Sequence, residues 1–554
     1  MADREHVTDH QMYGMMQDRP LTISMLWRRL EKQFGHKRVI TGLVDGESEL
    51  TWSEVSVRAR KLASALEYLG VPTGACVATF AWNSHRHVEL YLAVPGTGRI
   101  LHTVNHRSFR DQITYMVNSA SDDVVFVDRS LLPMVWPMAD AFTTVRHFVV
   151  MDDGADTPIP ADPRVIDYEE LLANCAPVEA IPTVHDEDSA ATLCFTSGTT
   201  GDPKGVLYSH RSVVIHALLL LTADVFGIRE KDVVMPVVPM FHVNAWGLPY
   251  AAMLAGADLV LPGPGMQPER IISQLQRHKV TFSAAVATVW RSLIPLLSES
   301  DLSALRMTIC GGGPLDRALA AAYEEMASVT LTNAWGMTET SPVVTVARTS
   351  SVHCQLGTNE RRAVLATAGV AAPLTEIRIV DDNDAELDWD GTTPGELQVA
   401  GPTIAARYLG RRPSTDSFSA DGWLKTGDVA TIDRYGYVRI VDRTKDLIKS
   451  GGEWISSIEL ENAIMTHPHV SEAAVIGRPD ARWGERPIVF VVPSGSHRIE
   501  LDELREHLVS QVASWWVPDE AVIVDSIAKT ATGKFAKQQL RNEYQAIFEK
   551  RAES

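Results

Sequence analysis

Apolar and polar residues along the first third of the chain follow two alternating patterns. Glu54–Leu69 has the spacing of an amphipathic helix, whereas Ala75–Phe80 and Asp123–Val127 are short continuous apolar runs. Runs of that length between turn residues read as buried strands, and their alternation with helices predicts α/β layering. The rhythm of apolar run, glycine turn and helix returns from about 190 to 345. Between the two regions, MDDGADTPIPADP (151–163) reads as a surface loop joining two subdomains. The longest apolar stretch, Ser212 to Ile228, contains His216 and Asp224 and is short for a membrane span, so it reads as a buried helix.

From about 368 the pattern shifts to short β-like segments, EIRIVD, GELQVAG and DVATIDRYGYVRIVD, the last with the aromatic–glycine signature of a tight hairpin. A second change falls at Asp442–Arg443. Beyond it lies a compact unit with a helix near 456–466 and strands at AAVIG and IVFVVP. The expected architecture is α/β. A large N-terminal domain (1–441) holds two layered α/β sheets and a β-rich subdomain, and a small, mobile α+β lid (442–554) follows.

Composition narrows the function. A chain of 554 residues with 45% apolar and 22% charged residues is an ordinary globular protein of several domains. A formal charge of −19 argues against nucleic-acid binding, because phosphates would be repelled. It leaves room for small anions held by local glycine loops and a few cations. The five cysteines are scattered and form no CxxC pair, which fits a reducing cytoplasm and excludes a disulfide framework. The first residues, MADREHVTDHQMYGMM, lack the apolar core of a signal peptide, and no integral membrane segment is expected.

The chemistry concentrates in Thr196–Gly205, TSGTTGDPKG, after the apolar run AATLCF. Gly198, Gly201 and Gly205 allow backbone N–H groups to converge on phosphate oxygens. Thr196, Ser197, Thr199 and Thr200 add hydroxyls, and Lys204 adds a point charge. Lys204 is followed by Gly205, not by the Ser or Thr that a Walker A loop uses for magnesium.

This loop strongly resembles the phosphate loop of the adenylate-forming superfamily: acyl-CoA synthetases, adenylation domains and luciferase. NAWGMTET (333–340), KTGD (425–428), YVRIVDR (437–443), KDLIKSGGEW (445–454) and TATGK (530–534) follow in the family's order, so the resemblance spans nearly the whole chain. VVPMFHVNAWGLPY and KDLIKSGGEWISS look most like bacterial medium- and long-chain fatty acyl-CoA synthetases. The resemblance implies an ATP-dependent ligase that converts a carboxylic acid into an acyl-adenylate and then, with CoA, into a thioester. An amine or a carrier-protein thiol is the alternative acceptor.

Each motif has a physical task to match. Glu339 is a hard oxygen ligand suited to Mg²⁺, and by resemblance Thr196 shares the ion. Trp335 offers a flat face to adenine, with Gly312 and Gly313 opposite, Asn333 and Ala334 at the edge, and Gly336 and Thr338 in the same motif. Asp428 can accept both ribose hydroxyls, Arg443 is a second ribose or phosphate contact, and Asp442 is the expected hinge. By resemblance Lys534 is the catalytic lysine of adenylation. Lys445 belongs to the same lid, Lys449 and Trp454 face nucleotide in one lid orientation, and Gly451 and Gly452 pass the pantetheine arm in the other. In FHVNAW, His242 either neighbours the substrate carboxylate or is a satisfied structural residue, Val243 lines the acyl tunnel, and Trp246 gates it. Ala285, Ala287 and Ala528 depart from the family pattern, and the extra methyl of Ala285 is expected to narrow the tunnel. The related branch also implies a homodimer.

Overall fold

A computed structural model describes residues 14–196, 202–412, 414–451, 453–495, 499–509, 511–529 and 535–552, the last with side chains to 545. Four sheets organise them. The amphipathic stretch after residue 51 forms helix Trp52–Tyr68, started by a Thr51/Glu54 capping box. It packs on helix His85–Gly96 beside a seven-stranded sheet. In spatial order that sheet runs Val165–Asp167, His147–Met151, Val124–Asp128, Cys76–Phe80, Ile100–Thr103, Ala190–Phe195 and Gly205–Ser209. All its pairs are parallel except the last. Its fully buried strands are the short apolar runs of the sequence, as expected where helices cover a parallel sheet.

The second sheet has nine strands. Its parallel centre runs Leu331–Gly336, Met307–Gly311, Phe282–Val286, Val233–Pro236, Asp258–Leu261 and Arg38–Gly42, and antiparallel strands flank it at both ends. A four-stranded antiparallel sheet follows, Glu376–Val380, Gly395–Ala400, Leu424–Ile432 and Val438–Arg443, whose last two strands are the hairpin read from RYGY. The fourth sheet pairs the long strands Val470–Asp480 and Gly484–Pro493. Ile448–Ser450, Glu453–Ile455 and Glu520–Ile523 complete it, and helices Ser457–Met465, Leu501–Leu508 and Lys537–Ala552 surround it. Two α/β layers, a β-rich sheet and a separate C-terminal α+β unit are thus present.

Two details differ from the sequence reading. The Gly/Pro/Asp-rich segment after Met151 joins His147–Met151 to Val165–Asp167, adjacent strands of one sheet, so it is a loop within a subdomain. The helix expected across Ser212–Ile228 ends at Leu221, where Thr222 leaves helical torsions. Among the described residues no helix is long and apolar enough to cross a membrane.

Candidate active site

The phosphate-loop motif connects Ala190–Phe195 to Gly205–Ser209, two antiparallel strands, and is therefore a hairpin loop rather than a strand-to-helix turn. Its base is closed by paired bonds: Thr196 N donates to Lys204 O at 2.9 Å, and Lys204 N donates to Thr196 Oγ1 at 3.1 Å. Ser197, Gly198, Thr199, Thr200 and Gly201 lie outside the described residues, as do Gly452 and Lys534.

Thr196 and Lys204 border a cavity of about 510 Å³ set among the first three sheets and the start of the C-terminal unit. Strand Leu331–Gly336 and the turn after it bring Ala334, Trp335, Gly336, Thr338 and Glu339 to its wall. The loop after Phe241 brings His242, Val243 and Trp246, and Gly312, Arg443 and Lys445 also border it. Burial lowers the Lys445 ammonium below its ordinary value.

Glu339 is buried at this wall. Its Oε1 accepts from the Tyr408 hydroxyl at 2.7 Å, its Oε2 accepts nothing from the described residues, and the Lys204 ammonium lies 4.6 Å from the Tyr408 ring. Among the described residues no cluster of three or more His, Cys, Asp or Glu forms a metal cage. One free carboxylate oxygen beside a hydroxyl fits Mg²⁺, which binds through one or two protein ligands plus substrate phosphates.

Asp428 lies just behind the wall, with its side chain 3% exposed. Its Oδ1 pairs with Arg443 Nε at 2.6 Å, and its Oδ2 accepts from Trp335 Nε1 at 3.0 Å. Asn333 is buried. Its amide nitrogen donates to Thr367 O and its Oδ1 has no partner, leaving an acceptor beside Ala334.

The apolar end is built on an unusual backbone. Val243, Asn244, Ala245 and Trp246 all have positive φ (47°, 53°, 49° and 55°), followed by Gly247 at 73°. A left-handed turn of L-residues costs roughly 1–2 kcal/mol per residue. Here Asn244 Nδ2 holds it by donating to Thr192 Oγ1 at 2.9 Å, and Gly247 N by donating to Asn244 O at 3.0 Å. The turn aims the Trp246 indole at Gly311, where an added Cβ would come within 2.8 Å of the ring, so only glycine fits.

Ala285 is not at this wall. Along Phe282–Val286 alternate residues face opposite sides. Val286 lines the cavity, while Ala285 packs with Met235, Trp290 and Cys310 on the other face. The expected narrowing by Ala285 therefore does not occur in this cavity. Gly313 is exposed and also stands off the wall.

The C-terminal unit begins with a divided joint. Asp442 Oδ2 accepts from Ser457 N and Oγ at 2.5 and 2.6 Å, at the start of helix Ser457–Met465, whereas its neighbour Arg443 is bonded to Asp428. Lys537 Nζ bridges Ser457 Oγ and the buried Glu461, whose carboxyl is pushed by burial up to about 7 against the pull of Lys537. Lys449 Nζ sits 5.6 Å from the Trp454 ring on the hairpin of this unit, and Gly451, at φ +64°, packs its α-carbon against Trp483. Lys449, Gly451 and Trp454 do not border the cavity in this orientation.

Sequence reasoning missed Tyr408, Arg411 and Arg107 at the wall. Arg107 sits 5.7 Å from the Phe241 ring, and burial lowers its guanidinium below the ordinary value. All three lie in unremarkable stretches far from the motifs, and no local signal marks them.

Large layered sheets, a small C-terminal unit and a glycine-bordered cavity between them define an adenylate-forming enzyme. The chain belongs to the AMP-binding enzyme family, which residues 27–409 match, and residues 459–534 match the family's C-terminal domain. The long-chain-fatty-acid–CoA ligase of Thermus thermophilus is 44% identical over 531 residues, 94% of this chain and 96% of that protein. The 3-methylmercaptopropionyl-CoA ligase of Ruegeria lacuscaerulensis is 40% identical over 536 residues, 96% and 99% of the two chains. Among solved structures, an anthranilate CoA ligase bound to anthranoyl-AMP superposes with a TM-score of 0.84 at 25% identity, covering 96% of this chain and 99% of that one.

Proposed function

We propose that this chain is an ATP-dependent, AMP-forming acyl-CoA ligase acting on an unbranched aliphatic carboxylic acid of short or medium length. Its reaction uses ATP, Mg²⁺ and CoA. The observation that carries the acid assignment is Trp246, seated against Gly311 at the apolar end beside Val243 and Val286. A slender tail fits beside this indole better than a branched or aromatic one. The 3-methylmercaptopropionyl-CoA and medium-chain-fatty-acid–CoA ligases among the relatives support it.

In the first step a carboxylate oxygen attacks the α-phosphorus of ATP and pyrophosphate leaves. In the second the CoA thiol attacks the acyl carbon, its proton is lost, and AMP leaves. No protein nucleophile is required, so catalysis rests on positioning and electrostatics. The phosphate loop and Lys204 bind the triphosphate, Trp335 bears the adenine, and Asp428 with Arg443 binds the ribose. Glu339 and Thr196 would hold Mg²⁺, which supplies charge neutralisation on the triphosphate. Lys534 faces the α-phosphate during adenylation. The boundary between domains 1–441 and 442–554 falls at Asp442, where the lid turns to bring Gly451 and Gly452 toward CoA. The reading includes a homodimer, for which sedimentation should give twice the 60.9 kDa of the chain, and a cytoplasmic location, which the scattered free cysteines support.

A panel of short, medium, long, branched and aromatic acids, scored by acyl-CoA mass and AMP release, tests the assignment. Short and medium straight-chain acids should give the highest kcat/KM. A preference for aromatic or very long acids would overturn the acid class. AMP release that responds to amines or holo-carrier protein instead of CoA would overturn the acceptor.

A further inference from the structure

We propose that Trp335 is a positioning residue for ribose recognition as well as an adenine platform: its indole N–H fixes the carboxylate of Asp428. The inference rests on the nucleotide assignment above and goes beyond it. Trp335 lies on the nine-stranded sheet and Asp428 on the four-stranded sheet, yet Nε1 and Oδ2 meet at 3.0 Å. The Asp428 carboxylate is nearly inaccessible, and its other oxygen is held by Arg443 Nε. One donor on each oxygen fixes the plane of the group. An ionised carboxylate has about four lone-pair directions, so each oxygen keeps one for a ribose hydroxyl.

The two donors stand on different elements. Arg443 ends strand Val438–Arg443, whose ladder sets it opposite Asp428 in the same sheet, whereas Trp335 reaches the carboxylate from the nine-stranded sheet. Held from two sheets at once, the ribose acceptor is aimed at no reorganisation cost during the reaction.

The test uses the full chain and measures pyrophosphate release with saturating acid, comparing kcat/KM for ATP with that for 2′,3′-dideoxy-ATP. Trp335→Phe keeps an aromatic face and removes the N–H. The ratio of the two values should fall by roughly tenfold or more, the scale of a hydrogen bond to a charged group, with the larger loss on ATP. Equal losses on both nucleotides, or an unchanged ratio, would show that Trp335 is only a platform or a link between sheets, and would overturn the proposal. Asp428→Asn separates the two assignments. If that change leaves the ratio untouched, the ribose assignment itself fails. If it lowers the ratio while Trp335→Phe does not, only the positioning role fails. Should calorimetry show Trp335→Phe unfolded, Trp335→Tyr, which also lacks a donor at that point, gives the same reading.

Discussion

The hydrogen bond from Tyr408 to Glu339 gives a graded test of the metal assignment. Glu339→Ala removes the carboxylate and should abolish pyrophosphate release. Tyr408→Phe removes only the orienting donor, and a net hydrogen bond of about 1 kcal/mol corresponds to a roughly fivefold rise in the Mg²⁺ concentration for half-maximal rate. An unchanged Mg²⁺ dependence in both variants would place the ion elsewhere. Lys534 is separable by half-reaction. Lys534→Ala should cut acyl-adenylate formation by roughly 10²–10³-fold, the cost of one preorganised transition-state donor. Supplied with synthetic acyl-AMP and CoA, it should still form thioester within about tenfold of the parent. Equal loss in both steps with a lowered melting temperature would mark a structural lysine. The places of Glu339 and Trp335 at the cavity, with Asp428 behind them, were legible because each sits in a dense local motif. Tyr408, Arg107 and Arg411 reach the cavity through chain folding alone.

Elements were legible where the apolar pattern or a turn signature was strong, as in helix Trp52–Tyr68 and in hairpin Leu424–Ile432/Val438–Arg443, which its RYGY turn marks. The segment after Met151 was misread. Gly, Pro and Asp mark the loop after Met151 but not which strands it joins. Ala285 was misjudged because resemblance supplies a neighbourhood, while the period of a strand decides the face. The left-handed turn Val243–Trp246 was invisible, since its residues carry no glycine signal before Gly247. Its dependence on Asn244 is measurable. Asn244→Ala leaves the Thr192 hydroxyl unpaired in the core and should destabilise the protein by about 1–3 kcal/mol in urea unfolding. A loss below a few tenths would mean that packing alone sets the turn. Trp246→Ala should shift the acid profile toward longer chains, and an unaltered profile would place the acyl end elsewhere.

For the molecule as a whole, buried histidines set the acid limit. Burial lowers His85, His106 and His216 to about 3, and His87 and His210 to about 4. They are neutral when folded but protonate in the unfolded chain below about 6.5. The unfolded state then binds more protons, so stability is lost as pH falls from about 6.5 toward 3–4, by about 1.4 kcal/mol per pH unit for each histidine. His216 accepts from Val343 N at 3.2 Å, a bond that glutamine can replace. His216→Gln should therefore reduce the loss in unfolding free energy between pH 6.5 and 5 by about 2 kcal/mol, and identical slopes would refute the assignment. The joint at Asp442 and Arg443 has a consequence of another kind. Linkers between units ordinarily tolerate added residues, because lengthening a loop costs little entropy. Here two consecutive residues are tied to opposite sides, one to Ser457 and the other to Asp428, with a single peptide between them. One inserted residue would leave both units able to fold but put the two ties out of step, so this junction is fixed in length as strictly as a strand at the centre of a sheet.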